Sequence, residues 1–410
     1  SGNSTTYMHM DLTPGYYHYK IKANRTLPDG SVGSSSYSAV VGNVQPTSFI
    51  LELVQSYNQG ICKFQSNLSL VRCRGKNNYN QFNTANTNDV TSPIAVHGLS
   101  NVATFSYDYN KMAFLNHDSS YQHEGYDLGY GTQTTPVSNV TNPIQIQHGN
   151  NYVLYLLSNG TIRSRGYNAF GQLGDGTTNN VTTGTTTVQV SGITTATKIV
   201  AAQYTGCALL SNGQVWCWGN AADGELGQGN KTTSLTPVQV PLPSNTAIDI
   251  FSSGRTIGAL MSNGTIYAWG NNSGSKIKLT TNTSDVTSPI QLSTRTDLKE
   301  ADWSTDHVIV RTTGGKIYSG GKIRANSNLT GNATFLASIS GSWKYSEGLI
   351  EMDDTGFQNR VIAVDGTGMN AFWVTDNLTL YCIGYSGEGQ CTNSTSTGGY
   401  QTTPLILEGM

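Results

Sequence analysis

The most regular alternation of apolar and polar runs lies at residues 207–219, which read CALLSNGQVWCWG. Two short apolar runs flank Ser-Asn-Gly, and this pattern predicts a β-hairpin. A three-residue turn at 211–213, with Gly213 in the left-handed conformation, would place Cys207 directly opposite Cys217. The segment therefore predicts an antiparallel hairpin that carries its own cysteine pair.

The hairpin pattern occurs seven times along the chain. With the turn residue as marker, the copies are centred on Asn67, Asp118, Asn159, Asn212, Asn263, Gly314 and Asn377. Successive markers lie 51, 41, 53, 51, 51 and 63 residues apart. A period near 50 residues with several short strands per unit is typical of a propeller or a repeat array.

Two further elements follow the hairpins. The first is a glycine-rich loop, clearest as GQLGDGT at 171–177 and GELGQGN at 224–230. The second is a Pro-containing β segment, found at 92–96, 142–146, 236–240, 288–292 and 403–407. Three or four strands in each of seven units predict an all-β chain folded as a seven-bladed β-propeller.

These residues resemble the repeat of the regulator of chromosome condensation family. That repeat has a hairpin ending in Trp-Gly, a Gly-Gln-Leu-Gly-like loop and a Thr-Pro strand at a spacing of about 50 residues. The resemblance covers residues 48–410 and implies a closed propeller domain at 47–410. The Cys-Ala-Leu-Leu…Val-Trp-Cys-Trp-Gly form at 207–219 is similar to secreted members of the family rather than to the nuclear protein.

A blade of such a ring is sandwiched between two neighbours, so both faces of its inner strands are buried. This accounts for the weak alternation of polar residues at 208–210 and 215–216. We expect Gly219, which follows the second tryptophan, to let adjacent backbones approach closely.

The six cysteines fall into three local pairs, Cys62/Cys73, Cys207/Cys217 and Cys382/Cys391. None has the C-x-x-C spacing of a zinc site, and short paired spacings fit disulfides formed in an oxidising compartment, with free buried thiols as the alternative. Aligned on the turn, Cys382 matches Cys217, but Phe372 takes the place of Cys207. Cys391 falls in the glycine-rich loop, so the third disulfide should tie a strand to the following loop.

Residues 1–46 lie outside the repeat. The stretch 12–44 alternates tyrosine and aliphatic residues, turns at Asp-Gly and returns, which predicts a β-hairpin. It resembles the last strands of a fibronectin type III domain, with Tyr16 or Tyr17 as the corner tyrosine. A whole sandwich of that kind needs about 100 residues. The segment is therefore a fragment, a hairpin that leans on the propeller, or a half-sandwich completed by strands of another molecule.

The composition of the chain argues against two classes of protein, nucleic-acid binders and membrane-spanning proteins. Charged residues make up 12% of the chain and the formal net charge is −2. Without a basic run, the chain lacks the electrostatic pattern of a nucleic-acid binder. No apolar stretch approaches the roughly 18 residues that a membrane span requires.

Catalytic patterns are weak. The chain has no nucleophile elbow, metalloprotease motif, P-loop or EF-hand. His117 and His307 each stand beside an aspartate, but a single histidine beside an acid is more often part of a solvated turn. Asp353 and Asp354 could hold calcium, yet adjacent acids in a loop are also more often a turn. We therefore expect no catalytic residue, no cofactor and no metal, and a protein that is not an enzyme.

The positive signal is the Asn-x-Ser/Thr sequon, which marks N-glycosylation sites in secreted proteins. Sequons occur at Asn3, Asn24, Asn67, Asn139, Asn159, Asn180, Asn230, Asn263, Asn271, Asn282, Asn328, Asn332, Asn377 and Asn393. Four of them, at 67, 159, 263 and 377, fall at the same hairpin turn of four units. Most others follow the third strand of a unit, which ends at the opposite face. The alternative is that asparagine is simply the preferred turn residue.

Together these patterns predict a secreted, N-glycosylated propeller at the cell surface or outside the cell. The expected role is a structural or adhesive building block of an extracellular assembly, for example a filament. Self-association or contact with other extracellular proteins would use the rim and the N-terminal segment. The alternative is an extracellular binding module, a lectin-like receptor or a protein inhibitor, that uses one propeller face.

Overall fold

The computed structural model divides the chain into two compact units, Ser1–Leu51 and Glu52–Met410. It describes residues 139–324, except 183–185, 245 and 304–306. Shorter described stretches are 24–26, 32–34, 54–57, 60–65, 70–75, 77, 82, 87–96, 102–108, 111–125, 343–345, 349–351, 361–367, 370–375, 379–385 and 400–407.

In the first unit, the described residues form two short antiparallel strands, β1 (Asn24–Thr26) and β2 (Val32–Ser34). Arg25 lies opposite Gly33 in their register. The corner tyrosine of the predicted fibronectin-like segment lies outside the described residues.

The second unit is built of sheets that we number I to VII in chain order. Sheet I contains β3 (Val54–Tyr57), β4 (Gly60–Gln65), β5 (Leu70–Gly75) and β6 (Val90–Ala95). Sheet II contains β7 (Val102–Asp108), β8 (Lys111–Asn116) and β9 (Tyr121–Gly125). Sheet III contains β10 (Pro143–Gly149), β11 (Tyr152–Leu157), β12 (Ile162–Gly166) and β13 (Val188–Gln189). Sheet IV contains β14 (Ala196–Ala201), β15 (Thr205–Leu210), β16 (Val215–Gly219) and β17 (Ser234–Gln239).

Sheet V contains β18 (Ala247–Ser253), β19 (Thr256–Met261), β20 (Ile266–Gly270) and β21 (Val286–Gln291), with a single 3-10 turn at Ser273–Ser275. Sheet VI contains β22 (Leu298–Trp303), β23 (His307–Thr312), β24 (Ile317–Arg324), β25 (Trp343–Tyr345) and β26 (Ile350–Glu351). Sheet VII contains β27 (Val361–Thr367), β28 (Asn370–Thr375), β29 (Leu380–Tyr385) and β30 (Tyr400–Ile406).

Each sheet is antiparallel and pairs its strands in chain order, except that β25 and β26 both pair with β24. In the described part of the chain, six of these sheets have four or five strands and sheet II has three. The first strand of every sheet contacts the first strand of the next, and β27 of sheet VII contacts β3 of sheet I. The first strands of the second unit therefore contact one another in a closed cycle.

The hairpin register predicted at 207–219 is confirmed. Cys207 lies opposite Cys217, and Gly213 has a φ of 78°. A glycine is needed there because L side chains strain the left-handed region. The inner strands β11, β19 and β23 are buried at every residue, as expected for strands packed on both faces.

Disulfides join Cys62 to Cys73 and Cys207 to Cys217, in each case across the second and third strands of a sheet. Phe372 lies opposite Cys382, as the alignment on the turn predicts. Cys382 is disulfide-bonded, and its expected partner Cys391 lies outside the described residues.

The fourth strands of sheets I, IV, V and VII share a proline at the same register. In β6, β17, β21 and β30 the pairing with the third strand shifts around this residue, which is Pro93, Pro237, Pro289 and Pro404. Proline has no N–H for a ladder, so it is tolerated on such edge strands and discourages a further strand from adding there.

For one Pro-containing segment, the predicted position in the repeat was wrong. Residues 142–146 lead into and begin β10, the first strand of sheet III, rather than forming a fourth strand. Pro143 is the first residue of β10, where its missing N–H is tolerated. An x-Pro-apolar pattern therefore fits the start of an inner strand as well as the middle of an edge strand.

Two buried tryptophans connect consecutive sheets. Trp218 Nε1 of sheet IV donates to the Gln172 carbonyl oxygen of sheet III at 2.9 Å. Trp269 Nε1 of sheet V donates to the Glu225 carbonyl oxygen of sheet IV at 2.8 Å. Each bond stabilises the fold by about 1 kcal/mol, and both indoles are fully buried. The tryptophans of the hairpin pattern thus join the sheets.

The glycine-rich loops also pack between sheets. Gly176 N donates to Leu235 O of β17 at 3.0 Å, and Gly229 N donates to Thr287 O of β21 at 2.8 Å. Each loop of one sheet is thereby bonded to the fourth strand of the next. Gly176 and Gly229 have φ values of 86° and 77°, a backbone conformation that glycine adopts without strain.

Candidate binding face

The strands of sheets III to V end on two opposite faces. The turn face carries the hairpin turns between second and third strands, 158–160, 211–213 and 262–264. The loop face carries the turns between first and second strands, at 149–151, 202–204 and 253–255. It also carries the described residues of the loops after the third strands, at 167–182, 186–187, 220–233 and 271–285.

The backbone of the loop face repeats from sheet to sheet. The residue after each third strand donates its N–H to the turn between the first two strands of the same sheet. These bonds join Tyr167 to Asn151, Asn220 to Tyr204 and Asn271 to Arg255, at 2.8, 3.0 and 2.9 Å. Equivalent side chains therefore stand at equivalent places, and their chemistry can be compared directly.

Between sheets III and IV the loop face carries aromatic rings, which we call the aromatic seam. The Phe170 ring lies 5.1 Å from the Tyr204 ring and 6.5 Å from the Tyr167 ring, measured between centroids. All three side chains are half-buried. Asn150 Nδ2 donates to Tyr204 Oη at 2.7 Å. Rings of this kind offer apolar area at a small cost in side-chain entropy.

Between sheets IV and V the same place carries charges, which we call the ionic seam. Arg255 donates to Glu225 Oε1 at 2.8 Å and to Asp223 Oδ2 at 2.9 Å. Glu225 is only 2% exposed, and burial raises the pKa of its carboxyl even though Arg255 lowers it. Asn271 Nδ2 also donates to Asp223 Oδ2, at 2.9 Å.

A row of polar side chains lies near the starts of the first strands of sheets III to VI. Each first strand from β10 to β22 has a bulge at its start, which sets Gln145, Lys198, Asp249 and Glu300 at one equivalent position. Lys198 pairs with Asp249 across sheets IV and V. Glu300 accepts from Arg311 at 2.9 Å, and burial raises the pKa of Glu300 despite that partner. The Lys198–Asp249 pair links sheets IV and V, whereas the Glu300–Arg311 pair lies within sheet VI.

On the loop face, Arg255 pairs with Asp223 and Glu225, and Lys231 pairs with Asp285. In the described part of the chain, no three His, Cys, Asp or Glu side chains converge as a metal site would require. What the loop face offers to another molecule is the aromatic rings beside an ion-paired patch.

Sequence comparison matches the Regulator of chromosome condensation (RCC1) repeat at residues 212–260, and a second profile of that repeat matches residues 196–225. Among solved structures, Prp20p from Saccharomyces cerevisiae aligns with a TM-score of 0.68 at 16% identity, over 83% of this chain and 86% of that chain. Human WBSCR16 aligns with a TM-score of 0.65 at 16% identity, over 78% of this chain and 84% of that chain. The fold is that of an RCC1-like repeat propeller.

Among curated proteins, the E3 ubiquitin-protein ligase HERC2 of Homo sapiens is 31% identical over 130 residues, and so is HERC2 of Mus musculus. The match takes in 31% of this chain but spans only 3% of the length of these relatives. It therefore supports the repeat and the propeller. In the described residues, no helix is long and apolar enough to cross a membrane.

The turn face of this RCC1-like propeller presents two exposed sequons in one geometry. Asn159 Oδ1 accepts from Thr161 N and Oγ1, at 3.0 and 2.7 Å. Asn263 Oδ1 accepts from Thr265 N and Oγ1, at 3.1 and 2.7 Å. Asn212 makes the same backbone bond to Gln214 without a sequon, so the turn itself also favours asparagine.

The other described sequons differ in exposure. Asn139, Asn180, Asn230 and Asn282 are exposed. Asn271 is half-buried, and its amide nitrogen, the atom that would carry a glycan, is engaged with Asp223. Asn24 lies in β1. The remaining predicted sites, Asn3, Asn67, Asn328, Asn332, Asn377 and Asn393, lie outside the described residues.

The next residues are the histidines and aspartates that were considered for catalysis or calcium binding in the sequence. His307 is buried, and burial followed by the charge of Lys276 lowers its pKa to about 4. His117 is exposed, and the neighbouring Asp118 accepts from Ser120 N at 2.9 Å as a turn would require. Asp353 and Asp354 lie outside the described residues.

Sequence reasoning missed both seams and a buried histidine pair, His123 and His148. Their members are far apart in the chain, for example 30 residues for Glu225 and Arg255. The signal that could have found the seams is alignment of the units on the glycine that ends each third strand, which places Phe170 with Asp223 and Tyr204 with Arg255.

Proposed function

We propose that the chain is a secreted, N-glycosylated and non-enzymatic propeller of seven blades that serves as a structural or adhesive building block of an extracellular assembly. The closed cycle of contacts among the first strands of sheets I to VII supports the seven-bladed ring. A ring leaves no inner sheet edge open, which suits a module that must persist outside the cell.

Disulfides and exposed sequons support the extracellular location. Pairing of Cys62 with Cys73 and of Cys207 with Cys217 requires an oxidising compartment to persist. Asn159 and Asn263 are both exposed on the turn face.

The observation that carries the adhesive role is the half-exposed aromatic seam. Phe170, Tyr204 and Tyr167 present contiguous rings at the loop face. Aromatic residues are enriched where protein surfaces bind partners. The partners we propose are further copies of the chain or other extracellular proteins, which would also meet the rim and the N-terminal segment. At the rim of sheets I, IV, V and VII, contact through side chains is favoured over strand addition because the fourth strands of these sheets carry prolines.

A second candidate function is an extracellular binding module, a lectin-like receptor or protein inhibitor, that uses the loop face. The same aromatic seam favours it, since rings that stack and amides that hydrogen-bond suit both sugars and peptides. Yeast Prp20p, a fold neighbour with binding properties to Gsp1p and histones, is a precedent for binding by this fold.

The test is self-association of the purified glycosylated chain by analytical ultracentrifugation across a concentration series. We expect the wild type to form larger species as concentration rises and the double variant Phe170→Ser, Tyr204→Ser to shift this assembly at least tenfold higher in concentration. Tyr267→Ser, which changes a half-buried aromatic of β20 outside the loop face, is the matched control and should behave like the wild type. A wild type that stays monomeric throughout would contradict the building-block role.

The second candidate is tested on the same proteins with an array of immobilised glycans. Binding by a monomeric wild type that the double variant loses would establish the binding module in place of the building block. Absence of binding by the wild type would remove the lectin-like form of that candidate.

A further inference from the structure

A buried histidine pair lies between sheets II and III, and the proposed function makes no use of it. His123 of β9 and His148 of β10 face each other, with Nδ1 of the first 3.2 Å from Nε2 of the second. Tyr155 Oη of β11 lies 3.1 Å from His123 Nε2. The three side chains are 3%, 5% and 1% exposed. The pair is thus closed off from bulk water on both sheets.

The groups around the pair come from every strand packed against it. Lys111 of β8 is buried and donates from Nζ to Gly149 O at 3.0 Å. Ser106 of β7 lies 3.4 Å from His148 N through its hydroxyl oxygen. The ring of Tyr121 of β9 meets His123 edge to face. In the described residues, the charges that act on His148 are those of His123 and Lys111, and both are basic.

The hydrogen bond between the two rings requires at least one neutral imidazole, because only a neutral ring has an acceptor nitrogen. A neutral imidazole has one donor and one acceptor nitrogen, so one ring can donate to the other. An imidazolium has two donors, and two imidazoliums would face each other with N–H groups and positive charges beside the Lys111 ammonium. Proton uptake by both rings therefore replaces an attraction with a repulsion in a buried place, where charge is poorly solvated.

We propose that the His123–His148 pair makes the contact between sheets II and III acid-labile, so that this contact opens at mildly acidic pH while sheet V, which contains no histidine, stays closed. The contact is a built-in pH switch of the propeller. It is independent of which proposed function holds, and in an extracellular assembly it would loosen one defined joint on acidification.

The direction of the pH dependence follows from linkage. Burial, then the charges of His123 and Lys111, holds the pKa of His148 well below 6.5, its ordinary value. Above pH 6.5 neither the closed nor the open form carries the extra proton, so the stabilisation is complete. As the pH falls below that value the open form takes up the proton first, and the closed form loses about tenfold in relative population per pH unit for each such histidine.

Hydrogen exchange followed by mass spectrometry on the full chain tests the proposal at pH 7.4 and 5.5, with exchange times corrected for the intrinsic rate. We expect peptides covering 111–125 and 143–157 to lose about tenfold in protection at pH 5.5. Peptides covering 256–270, in sheet V, should change less than threefold. In His148→Gln the loss at the first two peptides should fall below threefold.

His307→Gln is the matched control, because His307 is also buried with a lowered pKa but belongs to β23 of sheet VI. It should leave the response at 111–125 and 143–157 unchanged. Equal loss in sheet V of the wild type, no loss at all, or a full response kept by His148→Gln would each overturn the proposal. If that variant fails to fold, the wild-type comparison between sheets still decides.

Discussion

The aromatic seam and the ionic seam are built on one backbone and carry opposite chemistry. In both, a tryptophan donates across the boundary to a loop carbonyl, at 2.9 Å from Trp218 and 2.8 Å from Trp269. Above that bond, one seam pairs Phe170 with Tyr204 and the other pairs Asp223 with Arg255. The repeat therefore determines the shared backbone and the tryptophan bond, which we call the frame. It leaves the exposed pair of side chains free to vary.

This difference separates residues that hold the propeller together from residues that can serve a partner. Trp218 and Trp269 are fully buried and cannot meet another molecule. Phe170, Tyr204 and Arg255 are half-buried at the loop face. A change in the frame should therefore damage both seams equally, whereas a change in the exposed pairs should act on one seam alone.

The largest effect is expected at the two glycines that end the third strands. Gly219 and Gly270 have φ values of 98° and 97°, and a Cβ at either would lie 2.4 Å from a carbonyl oxygen, of Tyr204 and Arg255 respectively. We expect Gly219→Ala and Gly270→Ala to destabilise the fold by about 3 kcal/mol each, because strain and clash add. Urea unfolding followed by tryptophan fluorescence measures both.

Gly192→Ala is the control for backbone strain without a clash. Its φ is 72° but nothing lies within 4 Å of the added carbon, so about 1 kcal/mol is expected. A large effect at Gly219 with almost none at Gly270 would show that the two seams do not share one frame.

A smaller effect, confined to the ionic seam, is expected when its cation is removed. Arg255→Tyr copies Tyr204 and leaves the Glu225 carboxylate buried without a cation, at a cost of about 2 kcal/mol at pH 7.5. Adding Glu225→Gln, the residue that Gln172 provides in the aromatic seam, should restore the stability to within about 1 kcal/mol.

The pH dependence of Arg255→Tyr gives an independent check. Burial raises the pKa of Glu225 above 4.5, so the folded chain binds the proton more tightly than the unfolded chain. Stability from this group is therefore present at low pH and lost as the pH rises through the raised pKa. The cost of the variant should be smaller at pH 5 than at pH 7.5. An equal cost at both pH values, or no rescue by glutamine, would contradict the role of the ion pair.

The parts of the fold that depend on local sequence could be predicted. The register of Cys207 with Cys217 followed from a turn whose glycine needs a positive φ, and the close approach at Gly219 followed from its place directly after Trp218. Both are short-range consequences of residue type. Residues 142–146 were misplaced because a proline is tolerated both at a strand start and on an edge strand.

The candidate site could not be predicted in the same way. The Arg255–Glu225 pair and the His123–His148 pair each join two sheets, and their distances depend on how whole sheets pack. No periodicity marks them. The sequence does report the frame, through Trp-Gly and the glycine-rich loops, and from the frame an alignment of units reveals which exposed positions differ.

The most direct test of an extracellular, glycosylated propeller is glycopeptide mass spectrometry on native material without reduction. We predict the linkages Cys62–Cys73, Cys207–Cys217 and Cys382–Cys391, with sugar at Asn159 and Asn263. Asn271 should be bare, because its amide nitrogen donates to Asp223 in the ionic seam. Free thiols together with unmodified Asn159 and Asn263 would contradict secretion and with it the building-block role.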